Sequence, residues 1–272
     1  MATLAVVYAV ASVALRSWEP HALYFPEHGL NVPITQLGPS AERVEFSSRD
    51  GVRLVGWMLP GEPTGSVAAV GTWVLICHGN GGNIADSGRL RYYAALRSLG
   101  LGVLAFDYRG YGESGGTPSE KGLYADADAA YRYLREQRRI PPGHIILFGH
   151  SLGSAVAIDL AARVPAAGLI VEGALTSVVD RAEEIHPWAP LRLFPFNRYE
   201  SLSKVGGIVG PKLFLHATAD EIIPMAHGRR LYEAAQPPKV FVELQGGHND
   251  AFAVDSARYF ESVAQFVARL PT

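Results

Sequence analysis

Short apolar runs of strand length alternate along this chain with longer stretches that are predicted to be helical. Such alternation predicts parallel β-α-β units. Between Arg43 and Leu59, two stretches of alternating polar and apolar residues flank Asp50-Gly51, which predicts an antiparallel hairpin at the start of the sheet. With 272 residues, the chain is long enough for one large α/β domain. The predicted strands are 74–77, 101–106, 144–148, 168–171, 212–216 and 240–244, and the predicted helices are 89–99, 123–138, 152–164, 227–235 and 255–270.

The N-terminus follows a different pattern. Ala2 to Leu15 is uncharged and almost wholly apolar, and Arg16 and Trp18 follow it. A helix of 14 residues spans roughly 21 Å, which is short of the ~30 Å hydrocarbon core of a bilayer. We expect residues 1–20 to form an apolar helix that associates with a membrane through residues 2–18, either within one leaflet or across a thinned bilayer. A helix packed on protein is the alternative, and the sidedness of the membrane is undetermined.

One serine lies where a predicted strand meets a predicted helix. Residues Gly149 to Gly153 read Gly-His-Ser-Leu-Gly and join the strand 144–148 to the helix 152–164. This arrangement is typical of a nucleophile elbow, in which a strained turn between two glycines exposes the serine hydroxyl. Ser151 is therefore the candidate nucleophile.

A serine hydroxyl is a weak nucleophile, so it needs a base that is itself oriented by an acid. Asp220 follows the predicted strand 212–216, and His248 lies in the glycine-rich loop after the strand 240–244. The chain order of serine, acid and histidine is the order of an α/β hydrolase. We predict Asp220 as the acid and His248 as the base. Glu172 and Glu221 stay open as alternative acids.

An oxyanion hole requires two backbone donors close to the nucleophile. The first is the N–H of Leu152, at the start of the helix that follows the serine. The second is expected in the loop His78 to Asn83, which reads His-Gly-Asn-Gly-Gly-Asn and follows the strand 74–77. We predict the Asn80 N–H as this second donor.

The segment between Glu172 and Lys212 lacks strand periodicity and is interrupted by prolines. Because prolines prevent one long helix, short segments would present its aromatic side chains. We predict that Trp188, Phe194 and Phe196 line an apolar acyl pocket. For each of these side chains taken singly, a plain packing role is an equal alternative.

Taken together, these motifs and the segment Asp107 to Ser114 resemble the α/β-hydrolase superfamily. They resemble more closely the membrane-anchored Bem46-like serine hydrolases, which are related to the α/β-hydrolase-domain depalmitoylases and lipases. The resemblance extends from about Leu23 to Leu270. It implies an eight-stranded, mostly parallel sheet flanked by helices, in a hydrolase domain over 21–272 with a small cap insertion at about 176–208. It also implies hydrolysis of acyl esters or thioesters, with roles for Ser151, Asp220, His248, Asn80 and Leu152.

The expected function is that of a serine carboxylesterase or lipase acting on a lipid-like ester, for example a monoacylglycerol. An acyl-protein or acyl-CoA thioesterase is the alternative within the same chemistry. An alternative of another class is a non-catalytic, membrane-bound interaction protein on a hydrolase fold.

Composition and spacing argue against several other functions. The formal net charge is −2 and basic residues are dispersed, so we expect no nucleic-acid partner. The glycine-rich segment Asp107 to Gly116 lacks the spacing of a dinucleotide or P-loop site, so no cofactor is expected, and Asp107 and Arg109 are predicted to brace loops beside the elbow. No histidines are spaced i, i+4, and Cys77 is the single cysteine, so we expect no metal.

Overall fold

A computed structural model describes residues 2–63, 65, 71–194 and 197–271 of the chain. Its strands are β1 (Phe25–Pro26), β2 (Glu42–Ser47), β3 (Arg53–Leu59), β4 (Trp73–Cys77), β5 (Gly81–Gly82), β6 (Gly102–Phe106), β7 (Ile145–His150), β8 (Gly168–Glu172), β9 (Lys212–Ala217) and β10 (Lys239–Leu244). Eight of them form one sheet in the order β10-β9-β8-β7-β4-β6-β3-β2, and β1 pairs separately with β5. The β2–β3 and β3–β6 pairs are antiparallel, and every other pair in the large sheet is parallel. The predicted eight-stranded, mostly parallel sheet is therefore confirmed.

Helices cover both faces of the large sheet. The predicted helix 123–138 begins earlier, at Glu120, because the Ser119 hydroxyl caps it by accepting from the Gly122 N–H, and its last turn is a π-helix over Tyr133–Gln137. The helices are α1 (Ala2–Leu23), α2 (Ser87–Ser98), α3 (Glu120–Arg132), α4 (Leu152–Ala161), α5 (Val178–Ile185), α6 (Leu202–Val205), α7 (Met225–Ala234), α8 (Ala251–Val254) and α9 (Ser256–Ala268).

Two apolar cores lie on opposite faces of the sheet. On one face, side chains of α3, α4 and α7 pack with residues such as Leu75 and Phe214. On the other face, α2 and α9 pack with residues such as Val74 and Leu213. Leu75 and Val74, like Phe214 and Leu213, are neighbours in one strand, so the alternation of a strand supplies both cores.

The segment between β8 and β9, where a cap is predicted, contains only short helices. They are α5, a 3₁₀ turn at Leu191–Leu193 and α6. The segment contacts α1, since the Tyr8 hydroxyl donates to the Leu193 carbonyl. In the part of the chain that the structure describes, no helix combines the length and hydropathy needed to cross a bilayer. Membrane association therefore stays a prediction.

Candidate active site

The turn between β7 and α4 holds Ser151 in a strained backbone conformation. Its φ is 54° and its ψ is −125°, a region that residues with a side chain rarely adopt. The Ser151 N–H donates to the Glu172 carbonyl at 2.9 Å. A Cβ atom at Gly149 would collide with the Gly153 carbonyl, and one at Gly153 would collide with the Cys77 carbonyl. The two glycines therefore let α4 pass close to the strands, as the predicted elbow requires.

Ser151, His248 and Asp220 lie in one chain of hydrogen bonds at the carboxyl edge of the parallel strands. The Ser151 Oγ is 2.8 Å from His248 Nε2, and His248 Nδ1 is 2.7 Å from Asp220 Oδ2. Since a carboxylate can only accept, Nδ1 carries the proton and Nε2 faces the serine as an acceptor. Ser151 is 7% exposed and His248 4%, so little water competes for these bonds.

The Asp220 carboxylate is held charged by its surroundings. Burial raises the pKa of Asp220, but the hydrogen bonds from the His248 ring and the Ile223 N–H and the electrostatic effect of the His248 and His216 rings together outweigh it, and the pKa lies below its ordinary value. Asp220 Oδ1 accepts from the N–H groups of Ile222 and Ile223 at 3.0 and 2.7 Å. A carboxylate oriented in this way can hold the imidazole in one tautomer.

The two alternative acids lie elsewhere. The Glu172 carboxylate accepts from the Tyr259 hydroxyl at 2.8 Å. Glu221 Oε2 accepts from the backbone N–H of His248 at 3.3 Å. Of the three carboxylates, only that of Asp220 is hydrogen-bonded to the His248 ring within the described residues.

His150, the second residue of the elbow, supports the loop that carries the histidine. Burial lowers the pKa of His150 to about 3, so its ring is neutral. Its Nε2 donates to the His248 carbonyl at 3.0 Å. The sequence does not indicate this contact, because a histidine between Gly149 and Ser151 carries no signal of its partner.

The predicted oxyanion donors flank the elbow. Gly79 approaches Ser151 so closely that a Cβ atom on Gly79 would lie 3.4 Å from the Ser151 Cβ. The N–H groups of Asn80 and Leu152 have no hydrogen-bond acceptor among the described residues. Both donors are therefore free for a ligand beside the serine hydroxyl.

A cavity of about 380 Å³ opens beside Ser151 and His248. Aromatic side chains of Tyr92, Phe148 and Phe252 form part of its wall. Its polar wall includes Asp86, Arg89, Glu172 and Asn249. The cavity thus combines apolar surface with a few polar groups, which is typical of a small-molecule site.

Of the aromatic residues predicted to line a pocket, Trp188 and Phe194 do not line this cavity. Trp188 is 82% exposed, and Phe194 stacks on Tyr8 with ring centroids 5.4 Å apart. Phe196 lies outside the described residues. The composition shows that the segment is rich in aromatic residues. It does not show where their side chains point, because the orientation of the short stretches between prolines depends on packing, such as the contacts with α1.

Asp107 and Arg109 were both predicted to brace loops beside the elbow, and the structure shows such a contact for Asp107, whereas Arg109 binds α3 and the β2–β3 turn. Asp107 Oδ1 accepts from the Ile84 N–H at 2.9 Å, just after the loop that carries Asn80. The Arg109 guanidinium binds Asp126 on α3 and Asp50 in the β2–β3 turn, at 2.8 Å in each case. These contacts join the segment that follows β6 to the loop after β4, to α3 and to the β2–β3 turn.

The Glu172 carboxyl should make the stability of the protein depend on pH. Burial raises the pKa of Glu172 from 4.5 to about 7. Between these values the folded protein keeps a proton that the unfolded chain loses, so the free energy of unfolding falls as pH rises, by at most about 1.4 kcal/mol per pH unit. Glu172→Gln keeps an acceptor for Tyr259 and removes this titration. Urea denaturation at pH 5 and pH 7.5 measures the free energy of unfolding of both proteins. Relative to the wild type, that of the variant should be higher at pH 7.5 than at pH 5. An equal difference at both pH values would contradict this assignment.

Comparison with known proteins agrees with the geometry. The Hydrolase_4 family model, described as serine aminopeptidase, matches residues 69–199. An uncharacterized protein of Mycobacterium tuberculosis is 38% identical over 268 residues, which cover 97% of this chain and 93% of that protein. Alpha/beta hydrolase domain-containing protein 17B of Homo sapiens is 36% identical over 191 residues, which cover 69% of this chain and 64% of that protein.

Solved structures extend the similarity to the whole fold. An esterase of Pyrococcus furiosus superposes with a TM-score of 0.75 at 22% identity, covering 90% of this chain and 99% of that chain. A serine hydrolase without a lid from Xanthomonas campestris superposes with a TM-score of 0.63 at 21% identity, covering 86% and 97%. At such low identity, these two likenesses concern the fold alone.

Proposed function

This chain belongs to the α/β-hydrolase superfamily of serine hydrolases, and we propose on that premise that it cleaves acyl esters through an acyl-enzyme. The observation that carries the proposal is the chain of hydrogen bonds from Asp220 through His248 to Ser151 at the wall of a cavity. In the proposed roles, Ser151 is the nucleophile, His248 the base and Asp220 the acid that orients the base.

Acylation begins when Ser151 Oγ attacks the ester carbonyl and His248 Nε2 takes the hydroxyl proton. Asp220 stabilises the resulting imidazolium. The carbonyl oxygen becomes an oxyanion, to which the N–H groups of Asn80 and Leu152 donate. When the tetrahedral intermediate collapses, His248 returns its proton to the leaving alkoxide and an alcohol departs.

Deacylation repeats these steps with water as the nucleophile. His248 Nε2 takes a proton from the water as its oxygen attacks the acyl carbonyl, and the same two N–H groups hold the second oxyanion. Collapse of this intermediate breaks the bond to Ser151 Oγ, which recovers the proton from His248. The products are a carboxylic acid and the free enzyme.

The cavity favours a lipophilic acyl group of limited length. Its aromatic wall offers apolar contact to an acyl chain, and a volume of about 380 Å³ lies at the lower end of the range for small-molecule sites. Substrates of this class include carboxylesters and lipid-like esters such as monoacylglycerols. An acyl-protein or acyl-CoA thioesterase would use the same residues, with a thiolate as the leaving group.

We further propose that the chain associates with a membrane through residues 2–18. The apolar sequence of Ala2 to Leu15 supports this, as do the exposed side chains of Val10, Val13 and Trp18 on α1. Apolar and tryptophan side chains of this kind are stabilised at a bilayer interface. A lipid-like substrate would then be close to the enzyme that cleaves it.

The test is a substrate series of p-nitrophenyl esters, an alkanoyl thioester and an aminoacyl p-nitroanilide, run with and without phospholipid vesicles. We expect the highest kcat/KM on esters with about four to eight acyl carbons, and protein that floats with the vesicles. Labelling by a fluorophosphonate probe should report the activated serine. Preference for the thioester would favour the thioesterase alternative, and preference for the anilide would favour a peptidase. Folded protein that is neither labelled nor active would support the interaction-protein alternative.

A further inference from the structure

The loop that carries the proposed oxyanion donor is held by partners outside it. On one side it pairs with the strand that follows α1. The Phe25 N–H donates to the Asn80 carbonyl at 2.9 Å, and the Glu27 N–H donates to the Gly82 carbonyl at 3.2 Å. This pairing leaves the carbonyls of Gly81 and Asn83 without a donor from β1.

One side chain on the opposite side reaches both of these carbonyls. Arg89, in the first turn of α2, donates from Nη2 to the Gly81 oxygen at 2.6 Å and from Nη1 to the Asn83 oxygen at 2.5 Å. The guanidinium lies against Gly82, where a Cβ atom would be 3.3 Å from Nη1. The glycine therefore makes room for the arginine. With this contact, each carbonyl from residue 80 to residue 83 accepts a hydrogen bond. The Asn83 carbonyl also accepts from the Asp86 N–H at 3.2 Å, whereas Arg89 is the donor to the Gly81 carbonyl among the described residues.

Restraint of this kind matters because of the sequence of the loop. Two consecutive glycines, Gly81 and Gly82, have more backbone freedom than any other pair of residues. In a planar trans peptide, each carbonyl shares its plane with the next N–H, so Arg89 fixes the Gly81–Gly82 and Asn83–Ile84 peptides directly. The Asn80 N–H belongs to the Gly79–Asn80 peptide, whose carbonyl accepts from His78 Nδ1 at 2.7 Å. Arg89 therefore acts on the Asn80 N–H through the glycine backbone that follows it. An oxyanion hole is effective because its donors are already oriented before charge develops.

We propose that Arg89 is a positioning residue that keeps the loop Asn80 to Asn83 in the conformation that aims the Asn80 N–H at the oxyanion. The inference rests on the proposed function. The planar guanidinium of Arg89 can bind two carbonyls at once, whereas a lysine ammonium lacks that fixed geometry. Arg89 itself contacts backbone and lines the cavity wall, and it takes no part in proton transfer.

The test compares Arg89→Met and Arg89→Lys with Arg91→Met, a matched control on the same helix whose side chain is exposed. For a p-nitrophenyl ester, kcat should fall about 10- to 100-fold in Arg89→Met, less in Arg89→Lys, and not at all in the control. KM should change less than about threefold. An alkyl trifluoromethyl ketone, which forms an oxyanion on the serine, should bind more weakly by the same factor as kcat falls. A rise in KM with an unchanged kcat would overturn the inference.

Two further readouts separate this inference from the proposed function. Hydrogen exchange in a peptide covering 79–85 should be faster in Arg89→Met than in Arg91→Met, whether or not any ester is cleaved. Added guanidinium should restore part of the lost kcat in Arg89→Ala. Unchanged exchange in an active enzyme, or no rescue, would overturn the role of Arg89 alone. Wild-type protein that neither cleaves esters nor reacts with the probe would overturn the proposed function, and the catalytic role of Arg89 with it.

Discussion

Replacing Ser151 by alanine should lower kcat on the preferred ester by about 10⁴- to 10⁶-fold. The substitution removes the oxygen that lies 2.8 Å from His248 Nε2. Within the described residues, this is the one hydrogen bond that the Ser151 side chain makes. The backbone should stay as it is, because alanine carries the same Cβ atom in the same strained conformation, with φ at 54°. His248→Ala should lower kcat by a similar factor, since an unactivated serine hydroxyl is a poor nucleophile.

The double variant provides the sharper test of a common role. If the two residues act as one unit, Ser151→Ala combined with His248→Ala should be no slower than either single variant. Ser203→Ala is the control, because among the described residues that exposed hydroxyl bonds only to the nearby Glu200 carbonyl. Stopped assays at high enzyme concentration measure the residual kcat of each variant. Fluorophosphonate labelling in parallel measures the reactivity of the serine. Full activity in Ser151→Ala, or multiplied losses in the double variant, would show that these residues do not act together.

Replacing Asp126 by alanine should lower the free energy of unfolding by about 3–5 kcal/mol. The Asp126 carboxylate is fully buried and accepts from the backbone N–H, Nε and Nη2 of Arg109, at 2.8 to 3.0 Å. Arg109 is only 7% exposed, so the variant would leave a buried cation without its one fully buried carboxylate partner among the described residues. The change in the urea midpoint, with the m-value held constant, measures this loss.

Asp50→Ala is the matched control, because Asp50 binds the same guanidinium from the surface. Its carboxylate is 2.8 Å from Arg109 Nη1, but 52% of its side chain is exposed. Water and salt screen such a pair, so the loss should stay below about 1 kcal/mol. Equal losses in the two variants would mean that burial of the Arg109–Asp126 pair does not govern its contribution.

The order of strands and helices along the chain, and the elbow, followed from local information. Apolar periodicity reports which backbone segments are buried, and glycines around a serine report a tight turn, so both can be recognised within a few residues. The strand 144–148, for example, was located to within two residues of Ile145–His150. The proximity of Ser151, Asp220 and His248 also followed, because parallel strands bring their carboxyl ends to one edge of the sheet.

Other features depend on contacts between segments that are distant in the chain. Periodicity could not choose among Asp220, Glu221 and Glu172, since all three follow or end buried strands, and only the paths of the loops bring one of them to the His248 ring. A two-residue strand such as Phe25–Pro26 has no periodicity to recognise, and its pairing with Gly81–Gly82 exists only after the sheet has formed. Arg89 depends on packing over a shorter distance, since the two carbonyls it binds lie six and eight residues earlier in the chain. A helix over 89–99 was predicted from the sequence, but the Arg89 side chain reaches the two carbonyls only when α2 packs beside the loop.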